Sequence, residues 1–102
     1  MDYKVIWDDE AIGELAAIVR RIAKNNPDAA RKTGELLLQK AGLLSSFPQF
    51  GKVFKKLHRE DVREISVPPY RIIYHVKAAQ NCVQILTVWH GARREPDIQS
   101  LS

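Results

Sequence analysis

Two stretches near the C-terminus limit what this chain can become more than any other feature. Tyr70-Arg71-Ile72-Ile73-Tyr74-His75-Val76 and Cys82-Val83-Gln84-Ile85-Leu86-Thr87-Val88-Trp89-His90 are dense in β-branched and aromatic residues, and only residues 77–81 separate them. Such side chains are stiff in a helix and fit a pleated surface, so the pair reads as an antiparallel hairpin. The first stretch leans apolar on both faces, with Ile72, Tyr74 and Val76 on one and Ile73 between Arg71 and His75 on the other. That marks a central strand. Upstream, Val62-Arg63-Glu64-Ile65-Ser66-Val67 offers a third strand. Pro68-Pro69 cannot donate ladder hydrogen bonds, so this strand must end there and return directly into Tyr70.

The N-terminal half has a different period. After a short strand candidate at residues 3–7, Asp8 and Asp9 can offer a side-chain oxygen to the free amides of a helix start, and Glu10 suits the positive end of the dipole. Ile12, Leu15, Ala16, Val19, Ile22 and Ala23 then recur at helical spacing. Asn25-Asn26-Pro27 ends this helix and opens the next, with Asn26 as cap and Pro27 in the first helical position. In the second helix Ala30, Thr33, Leu37, Ala41 and Leu44 mark the buried stripe, broadened by Leu36, Leu38 and Leu43. A helical hairpin of this kind must bury its stripes, and the only large apolar partner is the C-terminal sheet. Trp7, Trp89, Tyr70 and Tyr74 are read first as core aromatics. The expected fold is α+β in the order β-α-α-β-β-β: one domain over residues 1–102, with the helices on one side of a mainly antiparallel sheet.

Between them, residues 48–60 read as an irregular connection. Phe50, Val53, Phe54 and Leu57 would pin it to the body, leaving Lys52, Lys55, Lys56 and Arg59 to solvent. These cations belong to a wider asymmetry. Residues 1–35 hold six Lys/Arg against seven Asp/Glu, whereas residues 36–94 hold ten against three. The formal charge of +4 therefore understates a field that favours an acidic partner, either nucleic acid or an acidic protein segment. A solvated basic face is the plain alternative. No apolar run is long enough to span a membrane, and no signal-peptide pattern opens the chain. The lone Cys82 cannot form an internal disulfide, which suits a reducing cytoplasm, and it reads as a small core residue.

Arg63-Glu64-Ile65 followed by Tyr70-Arg71-Ile72-Ile73-Tyr74, and then His90-Gly91-Ala92-Arg93-Arg94, resembles the RelE/ParE superfamily of bacterial toxins. The turn Phe47-Pro48-Gln49-Phe50-Gly51 and the helical hairpin agree, so the resemblance covers nearly the whole chain. It implies the toxin half of a type II toxin–antitoxin pair. Such a toxin is neutralised by a small antitoxin whose acidic or amphipathic C-terminal segment would wrap the protein and cover its basic sheet face. Two activities are known in the superfamily. RelE-like members cleave mRNA, mostly in the ribosomal A site and without a metal, and ParE-like members block DNA gyrase.

Metal-free RNA cleavage needs a base for the 2′ proton, an acid for the leaving 5′ oxygen and fixed cations for the phosphorane. By resemblance, Arg71 and Arg93 stand where RelE-like nucleases hold phosphate. Histidine is the side chain type whose charge can change near neutral pH, so His90 is a candidate acid or base, and Glu64 a candidate base. Each has an ordinary alternative: Glu64 as no more than the partner of an arginine, and His90 as no more than a strand-end residue. The RelE pattern also has lysines before its Tyr-Arg pair and a tyrosine near the C-terminus. Here the corresponding positions hold Val62 and Glu64, and no tyrosine follows Tyr74. The expectation is accordingly the ParE branch, a non-enzymatic toxin acting on gyrase. Ribosome-dependent mRNA cleavage is the alternative, and a basic nucleic-acid-binding module drawing on residues 52–59 the third. Contacts to target or antitoxin would come from Arg71, Arg93, Arg94, Lys52, Lys55, Lys56 and Arg59. His58 and His75 show no partner pattern, and no His, Cys or carboxylate spacing suggests a metal or other cofactor.

Overall fold

The computed structural model describes residues 2–57 and 59–91. Strand β1 (Lys4–Trp7) leads into helices α1 (Asp9–Ala23) and α2 (Pro27–Gly42). Strands β2 (Lys52–Val53), β3 (Val62–Val67), β4 (Tyr70–Lys77) and β5 (Cys82–His90) follow. They form one sheet in the order β1-β5-β4-β3-β2, antiparallel except where β1 runs parallel to β5. The expected α+β arrangement holds, and β4 is the central strand that its two apolar faces require. Pro68 and Pro69 alone make the return between β3 and β4, and Asn81, in the left-handed region at φ 52°, closes the turn between β4 and β5. Asparagine tolerates that conformation better than most residues.

The joint between the helices is as expected. The Asn26 side chain accepts the Ala29 N–H at 3.0 Å, and Pro27 fills the first helical position. At the start of α1 the expected cap does not form. Asp8 occupies the cap position, but its carboxylate accepts from Gln84 Nε2 at 2.6 Å, because the β1–β5 pairing brings that amide alongside. Asp9 and Glu10 still place negative charge in the first turn.

The buried stripe of α1 keeps Leu15 and Ile22 of the expected one, but Ala11 and Ile18 take the buried places expected of Ile12 and Val19. Ala11 and Ile18 are buried with Leu15 and Ile22 packed beside them, whereas Ile12 is 51% exposed. In α2 the buried residues are Ala30, Gly34, Leu37 and Ala41. Leu36, Leu38 and Leu43 do not broaden this stripe and are exposed. The reason is geometric: α2 packs chiefly on α1 and less extensively on the sheet, so the narrow line of Ala30, Gly34, Leu37 and Ala41 suffices. Gly34 lets the helices close, since a Cβ there would stand 3.2 Å from Val19 Cγ2.

On the helix side the sheet contributes Ile65, Val67, Tyr70, Ile72, Tyr74, Val83, Ile85 and Val88 to the main core. Trp7 is half-buried against the same core and Trp89 is half-buried, while Tyr70 and Tyr74 are buried. Cys82 is buried as expected of a small core residue. Opposite the helices, Phe54, Val62, Ile73 and Leu86 make a second cluster capped by Leu57.

The segment read as an irregular connection holds a fifth strand, the two-residue β2, and Phe50 is 57% exposed and does not pin it. Gly51 does so through its backbone. Its N–H donates to the Tyr74 hydroxyl at 2.9 Å, and its carbonyl accepts from Arg63 Nη1 at 2.8 Å. A Cβ at this position would overlap the Glu64 carbonyl oxygen and stand 2.7 Å from that hydroxyl, so only glycine fits.

Candidate functional site

The sheet face turned away from the helices gathers most of the charged candidates. In the β3–β4 register Ser66 lies opposite Arg71, Glu64 opposite Ile73 and Val62 opposite His75, and on the other side of β3 Glu64 faces Lys52. These residues alternate onto one face because the strand period is two. Arg71 reaches diagonally to Glu64, Nη1 donating to Oε1 at 3.1 Å. The Glu64 carboxylate is nearly sealed, with its side chain 7% exposed against 22% for Arg71.

Two adjoining shallow clefts meet at this pair. One, of about 460 Å³, is lined by Lys52, Val53, Lys55, Lys56 and Glu64. The other, of about 370 Å³, shares Lys52 and Glu64 and extends past Ser66 and Arg71 to Gly91. The rim is therefore basic, and Glu64 is the sole acid among the described lining residues. At this same end β5 finishes beside Tyr70, and the Gly91 N–H donates to the Pro69 carbonyl at 2.6 Å. Arg93 and Arg94 lie outside the described residues.

Arg59 is not left to solvent. Its Nε and Nη2 donate to the two carboxylate oxygens of Asp61 at 3.0 and 2.7 Å, and Asp61 also meets buried His75 at Nε2, 2.8 Å away. The hydrogen bonds from the Arg59 guanidinium hold the Asp61 carboxyl down at about 2, with His75 adding to the effect. This group sits four residues along β3 from the Arg71 end, about 13 Å at the rise of an extended strand. His75 and Asp61 were not singled out by sequence; the available signal was an acid two residues after an arginine, just ahead of a strand.

His90 is placed on the other side of the sheet. Its ring stands edge-on to Tyr70, with centroids 5.4 Å apart and planes at 89°, and the Tyr70 hydroxyl accepts from Arg21 Nη2 of α1 at 3.3 Å. It lines a cleft of about 100 Å³ with Glu14, Ala17, Ile18, Arg21, Val88 and Trp89. There Glu14, a residue the sequence reading passed over, accepts from the Thr87 hydroxyl at 2.7 Å and the Val88 N–H at 3.0 Å, tying α1 to β5. The structure thus brings Arg71, Glu64, Lys52, Lys55 and Lys56 together, commits Arg59 elsewhere and puts His90 across the sheet. Among the described residues no group of three His, Cys, Asp or Glu is placed to hold a metal ion.

Comparison with known proteins gives the same picture of the fold. The structure is similar to one from the chromosomal ParDE toxin–antitoxin system of P. aeruginosa, with a TM-score of 0.71 at 20% identity over 86% of this chain and 95% of that one. The isolated E. coli RelE toxin superposes with a TM-score of 0.64 at 20% identity, covering 91% of this chain and 88% of that one. A chain of the toxin–antitoxin complex RelBE2 from Mycobacterium tuberculosis also gives 0.64, at 25% identity over 91% and 95%. No curated protein matches the sequence. Residues 5–95 match the model of the ParE toxin of the type II toxin–antitoxin system parDE, nearly the whole described fold, and the chain belongs to that family of RelE/ParE superfamily toxins.

Proposed function

We propose that this toxin arrests bacterial growth by blocking DNA gyrase through protein–protein contact, without nuclease chemistry, and that an antitoxin neutralises it by covering the basic sheet face. One observation carries the choice of target. Arg71, Glu64 and His90, which would have to surround a single scissile phosphate, are divided between two faces of the sheet, and the arginine already holds the carboxylate. An acid, a base and a cation that do not converge give little help to attack by a 2′ hydroxyl. Membership of the ParE family supports the same reading. The P. aeruginosa and M. tuberculosis relatives come from toxin–antitoxin systems, which supports the antitoxin partner. We place the protein in the cytoplasm, where gyrase works; no described helix is long and apolar enough to cross a membrane.

Purified protein tests the target. It should inhibit supercoiling of relaxed plasmid by gyrase and leave mRNA intact on programmed ribosomes. Codon-positioned cuts seen by primer extension would replace this reading with RelE-like mRNA cleavage. In cells, induced expression should arrest growth, and co-expression of a neighbouring small gene should relieve it.

A further inference from the structure

Glu64 is oddly placed for a surface acid. It points into clefts whose other charged lining residues are Lys52, Lys55, Lys56 and Arg71, and it is more deeply buried than any of them. Its carboxylate Oε1 receives Arg71 Nη1 at 3.1 Å, and Lys52 stands opposite it across the β2–β3 pair. An external phosphate seeking the Arg71 guanidinium would have to settle beside the carboxylate that this guanidinium already holds. Glu64, nearly sealed from water, is screened less than a surface carboxylate, so two anions so close together repel. A guanidinium that already has a carboxylate partner is also a poorer fork for a second anion.

We propose that Glu64 is a specificity-determining residue. It is a built-in counter-ion that keeps Arg71 from external phosphodiesters and so turns this basic face away from nucleic acid and toward protein partners. The inference rests on the protein-target reading above and gives it a chemical cause. Without Glu64, the described charged residues that line the two clefts would all be cationic, a surface of the kind that tracks a phosphate backbone. With it, charge at the centre of that surface is cancelled, and what remains suits a partner whose acidic groups are spaced to meet the lysines.

The test is binding of a short fluorescein-labelled single-stranded RNA, read by anisotropy at low salt. Glu64→Gln keeps the side-chain shape and an oxygen facing Arg71 while removing the charge. It should raise RNA affinity about tenfold, equivalent to ~1.4 kcal/mol. Introduced into an Arg71→Ala background, the same change should gain less than about twofold, the general effect of one charge, because the gain acts through Arg71. If Glu64→Gln fails to fold by circular dichroism, Glu64→Met, uncharged and of similar volume in a nearly buried position, carries the same expectation. Unchanged RNA affinity in the folded variant, or an equal gain with and without Arg71, overturns the inference. Gyrase supercoiling is measured separately with the unaltered protein. Inhibition of gyrase with no RNA gain in the variant refutes the counter-ion and keeps the target; an Arg71-dependent RNA gain without gyrase inhibition refutes the target and keeps the counter-ion.

Discussion

Replacing Tyr74 with phenylalanine removes one oxygen from the centre of the sheet and should loosen the edge that carries the lysines. Tyr74 is fully buried, and its hydroxyl is the acceptor for the Gly51 N–H at 2.9 Å. Burial also raises the phenol above its ordinary pKa, so it stays a neutral hydroxyl at any working pH. Phenylalanine keeps the ring and its packing against the helix-side core but leaves a buried backbone N–H without an acceptor. That omission costs about 1–3 kcal/mol. For a domain of this size each kcal/mol lowers the thermal midpoint by roughly 4–8 °C, so a fall of about 10 °C is the central expectation. Circular dichroism melts measure it, and a urea titration with unchanged slope would show that the native and denatured ensembles are otherwise alike. Hydrogen exchange should locate the effect, with amides of residues 51–53 exchanging faster while those of β4 and β5 hold. A midpoint within about 2 °C of the parent would refute the reasoning, since Gly51 would then be held by its steric fit and by Arg63 alone.

Two further perturbations probe contacts that organise the rest of the molecule. Asp61 titrates at about 2 when folded against 3.8 ordinarily, so the stability it contributes is complete above about pH 4 and disappears as pH falls from there through 2. The full linkage of roughly 2 kcal/mol must be discounted, because the side chain is 39% exposed, to no more than about 1 kcal/mol. Asp61→Asn should therefore lower the urea midpoint at pH 7 and match the parent near pH 2; a difference that persists at pH 2 would assign the loss to packing. Glu14→Ala strands both the Thr87 hydroxyl and the Val88 N–H in buried surroundings and should cost about 1–3 kcal/mol in urea titration. Glu14→Gln, which keeps an acceptor oxygen, should recover most of that, and equal losses would show that the negative charge itself matters.

What could be read from sequence was what neighbouring residues decide among themselves. The Asn26-Pro27 joint, the Pro68-Pro69 return and the two-faced β4 follow from backbone restrictions and a period of two. The phase of the α1 stripe was not legible, because Ile12 and Ala11 fit a helical period equally well and only the packing of α1 against α2 and β5 selects between them. Strand β2 escaped notice because two residues carry no period, and what makes it a strand is Gly51 held between Tyr74 and Arg63, twelve and more residues away in the chain. Of the candidate site, the Arg71–Glu64 pair was foreseen only as the ordinary alternative to a catalytic role. The Arg59–Asp61–His75 group and Glu14 were missed, since each depends on strands or helices meeting from distant parts of the sequence.

The distribution of those pairs changes what the basic composition of residues 36–94 means. Two of its arginines are matched by two of its three acids within the fold, Arg71 by Glu64 and Arg59 by Asp61. Both are groups that would otherwise offer a planar fork for carboxylate or phosphate. Lys52, Lys55 and Lys56 are all exposed, on or just after a two-residue edge strand. Lysines are compact, strongly hydrated charges on flexible stems, suited to long-range attraction and adaptable contact rather than to gripping one phosphate in a fixed geometry. On an edge strand they also discourage pairing with another copy's sheet. Under the protein-partner function proposed above, the same three residues would serve two ends at once: they would keep the short edge from aggregating and supply a steering field for an acidic protein partner.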